Sequence, residues 1–305
     1  MTTMPFADSV KTGLLASGWY ANRLERSTFP GVLTLCYHGV RDASVDESML
    51  PTANLHVIAD TFDAQCRMIA ETCHPIDLGT FREAGSDRRA LPERPVLVTF
   101  DDGYRSVFDL ARPILRRYGI PAVVFVCSEP IRRQRLFWFD AVARALGGDA
   151  VTGLLSQQSE AWRRAAEIYD APATDAPHLA PMTEAQVRQL ADEGFTIGVH
   201  TASHAPLSQA PAEMQRRELE SCRADIESWT GRRADAVAYP FGVPGADYTN
   251  ETVAIADDLG FTVGFTTRYD FSRPDEPSLE RSRFVVLAAV TAAELAHRIA
   301  YAWPR

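Results

Sequence analysis

The sequence contains the run Val96-Leu97-Val98-Thr99-Phe100-Asp101-Asp102-Gly103-Tyr104, an apolar segment that leads into two adjacent carboxylates. Two carboxylates at the end of a buried strand are costly to desolvate unless a cation or a proton offsets their charge. Later in the chain, His200 and His204 form a His-x-x-x-His pair. One carboxylate and two imidazoles are a common triad for a divalent metal with open coordination positions. Together, the two motifs predict the site of a metal-dependent hydrolase.

Each motif alone has an ordinary structural explanation. Asp-Asp-Gly after a strand is typical of a turn or a helix N-cap, and a His-x-x-x-His pair is most often an accident of composition. However, each motif directly follows a β-like run, which for the histidines is Thr196-Ile197-Gly198-Val199. Catalytic residues of α/β barrels lie at the C-terminal ends of the strands. The shared position therefore favours the interpretation as one metal site.

Short apolar and β-branched runs alternate with helix-like segments along the chain, which predicts an α/β protein with a parallel sheet or barrel. Seven such runs occupy residues 32–37, 96–100, 122–127, 196–199, 236–239, 262–266 and 284–288. Helices are predicted for residues 61–72, 105–118 and 213–229, and Thr183 and Gln186 form a capping box at the start of another. Because the chain has 305 residues of which 46% are hydrophobic, we expect one barrel domain over residues 31–305.

Two segments lie outside this alternation. Residues 1–30 include an amphipathic helix candidate at residues 6–24, which we expect to cover the base of the barrel. A membrane-surface or partner helix is the alternative, although its polar face lacks the Lys and Arg density of a membrane binder. Residues 129–181 are too long for a simple connection and form an insertion. This insertion follows a strand and can form a lid or a substrate wall, or it can be a pair of helices packed on the barrel.

Composition limits the partners and the compartment. The formal net charge of -9 argues against nucleic-acid binding, because nucleic-acid-binding domains carry a basic face. The five cysteines are scattered without a CxxC spacing, so we expect buried free thiols in a reducing compartment. The sequence shows no signal-peptide pattern and no stretch of about 18 apolar residues. We therefore predict a cytoplasmic protein without a transmembrane segment, of undefined oligomeric state.

The motifs resemble those of the polysaccharide deacetylases, carbohydrate esterase family 4. Residues 99–104 resemble the first motif of that family, and residues 200–204 resemble the second. The run Ala238-Tyr239-Pro240-Phe241-Gly242 is similar to the Tyr-Pro-Phe-Gly form of the third motif, and residues 283–286 are similar to a late Arg-containing strand. The resemblance runs from about Leu33 to about Val286. It implies the distorted (β/α)7-type barrel of that family and one bound divalent metal ion. Zn is the ion we expect first, and Co, Ni, Mn or Fe are the alternatives.

The resemblance also implies roles for single residues. The metal ligands are three residues, Asp102, His200 and His204. Asp101 is the general base, and this division between the two aspartates comes from the resemblance because spacing does not tell which one binds the metal. Arg283 is predicted to orient Asp101, and a surface Arg at a strand start is the alternative.

The reaction implied is hydrolysis of an amide through a tetrahedral oxyanion. A backbone N–H of the segment Tyr239-Pro240-Phe241 is predicted to stabilise that oxyanion, although the same segment could be a wall of the core. Tyr104 is predicted as a further contact to the substrate or the oxyanion.

The sequence departs from the family pattern at the general acid. Many members have an Arg shortly before the Pro of the third motif and a late Leu-x-His that supplies the acid. Here Val237-Ala238-Tyr239 precede Pro240, and the late histidine, His297, lies in a predicted C-terminal helix. We predict that His38, at the end of the first strand, replaces the acid; a core histidine bonded to a loop is the alternative. The remaining histidines, which look like loop or surface residues, are given no role: His56, His74 and His178.

Three functions of different classes remain open. The first is removal of an N-acyl group, acetyl or formyl, from an amino sugar in a small molecule, a nucleotide- or lipid-linked sugar or a glycan. The second is hydrolysis of a non-sugar amide on the same scaffold, because a fold does not fix its substrate. The third is a non-catalytic glycan-binding relative. A relative without activity is expected to lose its base, whereas Asp101 is present, which favours an enzyme.

Overall fold

The computed structural model describes residues 6–50, 52–84, 91–156 and 161–302. Within these ranges the chain forms ten strands, which are β1 (Leu33–Tyr37), β2 (Gly39–Arg41), β3 (His56–Ile58), β4 (His74–Pro75), β5 (Pro95–Phe100), β6 (Ala122–Val126), β7 (Thr196–Val199), β8 (Ala236–Ala238), β9 (Val263–Phe265) and β10 (Phe284–Val285). Eight of them form one curled parallel sheet in the order β10-β1-β5-β6-β7-β8-β9, with β4 paired to β5. Strands β2 and β3 form a separate parallel pair.

The seven predicted strands are confirmed, since each predicted run overlaps one of β1 and β5 to β10. Every residue of β1, β5 and β6 is buried. Parallel strands covered on both faces read as continuous apolar runs, which is why these strands could be recognised in the sequence. The fold is therefore the predicted α/β fold with a distorted (β/α)7-type barrel.

Helices surround the sheet. They are α1 (Phe6–Ala16), α2 (Trp19–Glu25), α3 (Ala59–Thr72), α4 (Leu78–Ala84), α5 (Arg112–Arg117), α6 (Ser128–Arg133), α7 (Trp138–Leu146), α8 (Gly148–Ser156), α9 (Ala161–Ile168), α10 (Glu184–Asp192), α11 (Ala212–Thr230), α12 (Asn250–Asp258) and α13 (Ala292–His297). The capping box predicted at Thr183 and Gln186 is present at the start of α10. A π-helical turn, Val107–Ala111, precedes α5, so the helix predicted for residues 105–118 is only partly α-helical.

The predicted helix of residues 6–24 is two helices, α1 and α2. Gly18 separates them with a φ of 74°, a left-handed conformation that ends a helix at low cost for glycine. Helix α1 packs against α13, and α2 packs against α3. In the described ranges, no helix combines the length and apolar character that crossing a membrane requires.

The segment after β9 closes the sheet. Arg281 bridges Phe265 of β9 in parallel, and β10 then pairs with β1 on the other edge. Gly264 permits this close approach, because a Cβ built on it would lie 2.3 Å from the carbonyl oxygen of Leu279. Closure therefore depends on the absence of a side chain at this position.

Gly264→Ala should destabilise the protein by about 1–3 kcal/mol, because the added methyl group forces the closing segment away from β9. Urea denaturation measures this loss. Gly13→Ala in α1 is the control, since a Cβ there meets no described atom within 4 Å, and it should be neutral or stabilising by up to about 1 kcal/mol. Equal stability of the two variants would contradict this account of closure.

Candidate active site

The polar residues predicted from the sequence converge at one edge of the sheet. His38 follows β1, Asp101 and Asp102 follow β5, His200 follows β7, and the segment 239–241 follows β8. Because all strands of the sheet are parallel, their carboxyl ends lie at the same edge. This is the edge at which barrel enzymes carry their active sites.

Asp102, His200 and His204 form a compact buried trio. Asp102 Oδ1 lies 3.4 Å from His200 Nε2 and 3.3 Å from His204 Nε2. All three residues are at most 5% exposed, and Asp102 Oδ1 has no hydrogen-bond partner in the described part of the chain. Burial raises the pKa of Asp102, but the two imidazoles outweigh it and lower the pKa well below its ordinary value.

The trio fits a divalent metal ion. His200 Nδ1 lies 2.7 Å from the carbonyl oxygen of Ala238, and because a carbonyl only accepts, we assign the proton to Nδ1. In the neutral imidazole, Nε2 is then unprotonated and faces Asp102 Oδ1 at 3.4 Å. A cation between the two atoms would take the place of the proton that joins them when the imidazole is charged. The donor atoms of the trio lie within 4.8 Å of one another. One oxygen and two nitrogens suit Zn and also Co, Ni, Mn or Fe.

Asp101 is held by the buried cation Arg283. Its two carboxylate oxygens accept hydrogen bonds from the guanidinium at 2.8 and 2.7 Å. Burial raises the pKa of Asp101, but Arg283 and His200 outweigh it and hold the pKa at about 2. Arg283 is fully buried, so it is not the surface Arg of the alternative. It also donates from Nε to the carbonyl oxygen of Thr266, which fixes the plane of the guanidinium.

His38 lies beside Asp101 rather than in the core. A ring nitrogen of His38, Cys36 Sγ and a carboxylate oxygen of Asp101 lie within 4.8 Å of one another. His38 Nδ1 is buried and has no hydrogen-bond partner among the described residues, which does not support the alternative of a core histidine bonded to a loop. The late His297 instead contacts the hydroxyl of Tyr20 at 3.1 Å. The geometry thus brings His38 to the site, and its catalytic role stays a prediction.

The segment after β8 offers one backbone donor. The N–H of Tyr239 donates to β9 and that of Gly242 donates to the carbonyl of Pro240, while Pro240 itself has no N–H. The N–H of Phe241 has no acceptor within the described ranges. Tyr239 is fully buried, with its ring stacked on Tyr248 at 4.3 Å. Phe241 is therefore the residue of this segment that can donate to an oxyanion.

Tyr104 is occupied by another contact. It is fully buried, and its hydroxyl donates to Asp140 Oδ2 at 2.7 Å. Asp140 Oδ1 accepts from the hydroxyl of Thr52 at 2.8 Å, and burial raises the pKa of Asp140 to about 7. The hydroxyl of Tyr104 thus holds Asp140 in the wall of the site. The geometry gives no support to the predicted contact between Tyr104 and the substrate.

Sequence reasoning missed two buried polar residues of this wall. Asp140 was visible as a carboxylate within the aromatic run Phe137-Trp138-Phe139, which is the signal that could have identified it. His56 was grouped with loop and surface histidines, and this is wrong. It is fully buried, and its ring packs edge-on against Tyr104 with the ring centroids 4.8 Å apart.

The insertion, residues 129–181, contacts and supports the loop that carries His204. Trp138 Nε1 donates to the carbonyl oxygen of His204 at 3.1 Å, and the Phe139 ring lies 4.7 Å from the imidazole between centroids. His204 has a φ of 58°, and Asp102 has a φ of 71°. Such left-handed conformations in non-glycine residues are strained and persist only where the surroundings hold them. The insertion is thus part of the wall of the site.

Comparisons with known proteins agree with this geometry. A family model described as "Polysaccharide deacetylase" matches residues 88–264. YxkH of Bacillus subtilis, whose name places it with the polysaccharide deacetylases, is 23% identical over 175 residues, 57% of this chain and 45% of YxkH. The poly-β-1,6-N-acetyl-D-glucosamine N-deacetylase of Escherichia coli is 31% identical over 94 residues, 30% of this chain and 13% of that enzyme. The matches therefore span less than half the length of these relatives.

Solved structures share the fold. The Streptococcus pyogenes deacetylase PplD, in complex with acetate, superposes with a TM-score of 0.66 at 22% identity and covers 88% of this chain and 97% of PplD. IcaB of Ammonifex degensii gives a TM-score of 0.64 at 20% identity, over 88% of this chain and 97% of IcaB. Since the family model covers more than half of the sequence, the chain belongs to the polysaccharide deacetylase family.

Proposed function

We propose that this protein is a metal-dependent hydrolase that removes an N-acyl group, acetyl or formyl, from an amino sugar. The observation that carries the proposal is the buried trio Asp102, His200 and His204 with the carboxylate of Asp101 beside it. The chain retains both carboxylates and both histidines, which favours an enzyme over a non-catalytic glycan-binding relative. We further propose that it belongs to the Tyr-Pro-Phe-Gly form of the family.

Asp102, His200 and His204 would hold the metal. When bound, a divalent ion polarises the acyl carbonyl and acidifies a water, which suits a base as weak as Asp101. Zn is the ion we propose first, and the same donors accept Co, Ni, Mn or Fe.

Different residues of the chain carry out the separate proton transfers. Arg283 keeps Asp101 ionised, so Asp101 can accept the proton of the attacking water. The N–H of Phe241 donates to the oxyanion that develops on the acyl oxygen. His38, which lies beside Asp101, donates a proton to the leaving amine. The acid and the base thus follow neighbouring strands, β1 and β5.

The substrate class follows from the relatives. The name of the Escherichia coli relative identifies a β-1,6-linked N-acetylglucosamine polymer as its substrate, and we propose an N-acetylated amino sugar for this chain. A glycan, a nucleotide- or lipid-linked sugar and a small amino sugar all present the same acyl amide. The cytoplasmic location expected from the sequence stays a prediction and would favour the smaller substrates.

A release assay tests the proposal. The metal-free protein receives one equivalent of Zn, Co or Ni, and acetate and formate are measured with β-1,6- and β-1,4-linked N-acetylglucosamine oligomers, UDP-N-acetylglucosamine and N-acetylglucosamine. Acyl release that requires the metal supports the proposal. Release only from non-sugar amides would favour the amidohydrolase alternative, and binding of oligomers without release would favour the non-catalytic one.

Asp101→Asn should lower turnover on the order of a hundredfold or more, because the amide cannot accept the proton of the water. Metal content should be unchanged. The variant leaves Arg283 as an unpaired buried charge, so its stability falls as well. The double variant Asp101→Asn/Arg283→Met separates the two effects, since it should recover stability and remain inactive. Activity in either variant would place the base elsewhere.

His38→Gln should lower kcat more than it raises KM and flatten the alkaline limb of the pH–rate profile, because a general acid must be protonated to act. Metal content and melting temperature serve as controls. Normal turnover per folded molecule would assign His38 a structural role and leave the acid to water or to the substrate.

Trp138→Phe should weaken metal binding by about 10–100-fold, as is typical when the support of a metal ligand is removed. The substitution keeps an aromatic ring and deletes the donor to the His204 carbonyl. Trp162→Phe is the matched control, because Trp162 packs against Trp138 and its buried Nε1 has no partner among the described residues. Chelator competition measures the metal affinity of each variant. Equal affinities of the two variants would contradict a role of Trp138 in supporting the metal site.

A further inference from the structure

A second group of metal-ligand side chains lies against the base. Cys36 is in β1, is fully buried, and donates from Sγ to Asp101 Oδ2 at 3.3 Å. A ring nitrogen of His38 completes a group whose three donor atoms lie within 4.8 Å of one another. His38 Nδ1 is buried and has no partner in the described ranges. None of these atoms belongs to the trio of Asp102.

The three donors suit a thiophilic ion. A thiolate, an imidazole and a carboxylate are ligands of Zn²⁺, and a soft sulfur ligand also favours Cd²⁺. Two tetrahedral ligands at about 2.3 Å (sulfur) and about 2.0 Å (oxygen) from one zinc lie about 3.5 Å apart. The observed separation of Cys36 Sγ and Asp101 Oδ2 is 3.3 Å. An ion could therefore replace the thiol proton between them with little movement of either residue.

Charge sets the order of binding. Arg283 already neutralises Asp101 through two hydrogen bonds, and its positive charge opposes a second cation nearby. Asp102 Oδ1 has no such partner among the described residues. The first ion should therefore bind to Asp102, His200 and His204, and the group at Cys36 should bind a further ion more weakly.

We propose that Cys36, His38 and Asp101 form a second, weaker site for Zn²⁺ or Cd²⁺, and that its occupation inhibits the enzyme. On binding, the sulfur–hydrogen bond of Cys36 breaks, a sulfur–metal bond forms and the proton leaves to solvent. The ion would engage both the base, Asp101, and the predicted acid, His38. Inhibition rests on the proposed function, whereas the existence of the site does not.

A cadmium titration of the metal-free protein tests the site. The charge-transfer absorption between a thiolate and Cd²⁺ reports sulfur ligation, and calorimetry counts the ions. The first equivalent should bind without the band, because the trio contains no sulfur, and the second should produce it. Cys36→Ala should lose the band and the weaker site. Cys66→Ala is the matched control, since Cys66 is a buried free cysteine of α3, and it should keep both.

Several outcomes would overturn the site. They are a band absent from the unmodified protein, a band retained by Cys36→Ala, and a band lost by Cys66→Ala. Retention of the first equivalent by Cys36→Ala shows that this variant is folded. If Cys36→Ala does not bind the first equivalent, Cys36→Ser is used in its place. A hydroxyl is close to a thiol in volume and gives no thiolate band.

Rate measurements test the inhibition. Acyl release is compared at one equivalent and at an excess of Zn²⁺, with each variant normalised to its own rate at one equivalent. The unmodified protein and Cys66→Ala should lose at least tenfold in excess Zn²⁺, and Cys36→Ala should not. A second ion that binds without a loss of rate would overturn the inhibition. Absence of hydrolysis under all conditions would instead contradict the proposed function, and the cadmium titration would still decide the site.

Discussion

The buried ion pair between Arg283 and Asp101 is the interaction on which the site depends. Arg283 lies in the segment that closes the sheet, and its guanidinium contacts the carbonyl of Thr266 after β9, the hydroxyl of Thr99 in β5 and the carboxylate of Asp101. One side chain therefore joins the segment that closes the sheet to the edge that carries the candidate active site. Loss of either partner would leave an unpaired buried charge, which costs about 3–5 kcal/mol. Closure of the sheet and ionisation of Asp101 thus depend on the same side chain, Arg283.

The same pair gives the two adjacent aspartates different environments, on which their proposed roles rest. Two neighbouring buried carboxylates repel each other unless their charges are offset separately. Arg283 compensates Asp101 with a fixed cation, while Asp102 Oδ1 faces the Nε2 atoms of His200 and His204 at 3.4 and 3.3 Å. This difference leaves Asp102 as the ligand for an added cation and Asp101 as an ionised group beside it. The environment, rather than the residue type, makes the distinction.

The insertion contributes to the site from the outside. Trp138 and Phe139 support His204, and Asp140 joins Tyr104 to Thr52 through two hydrogen bonds. Because its pKa is raised to about 7, Asp140 carries less negative charge near Asp102 than an ordinary carboxylate would. The insertion therefore supports the strained backbone of the loop that carries His204.

The strand pattern and the candidate metal ligands could be predicted from the amino-acid sequence. Buried parallel strands read as apolar runs, and Asp102 and His200 each follow such a run within two residues. The packing of distant segments sets the remaining features. They are the burial of Arg283 and its pairing with Asp101, the burial of His56, the bond between Tyr104 and Asp140, and the N–H of Phe241, which has no acceptor in the described ranges. These features depend on contacts between residues far apart in the chain, and local patterns contain no information about which distant partner a charge or a hydroxyl meets. Periodicity identifies the strands, whereas only their packing places one side chain against another.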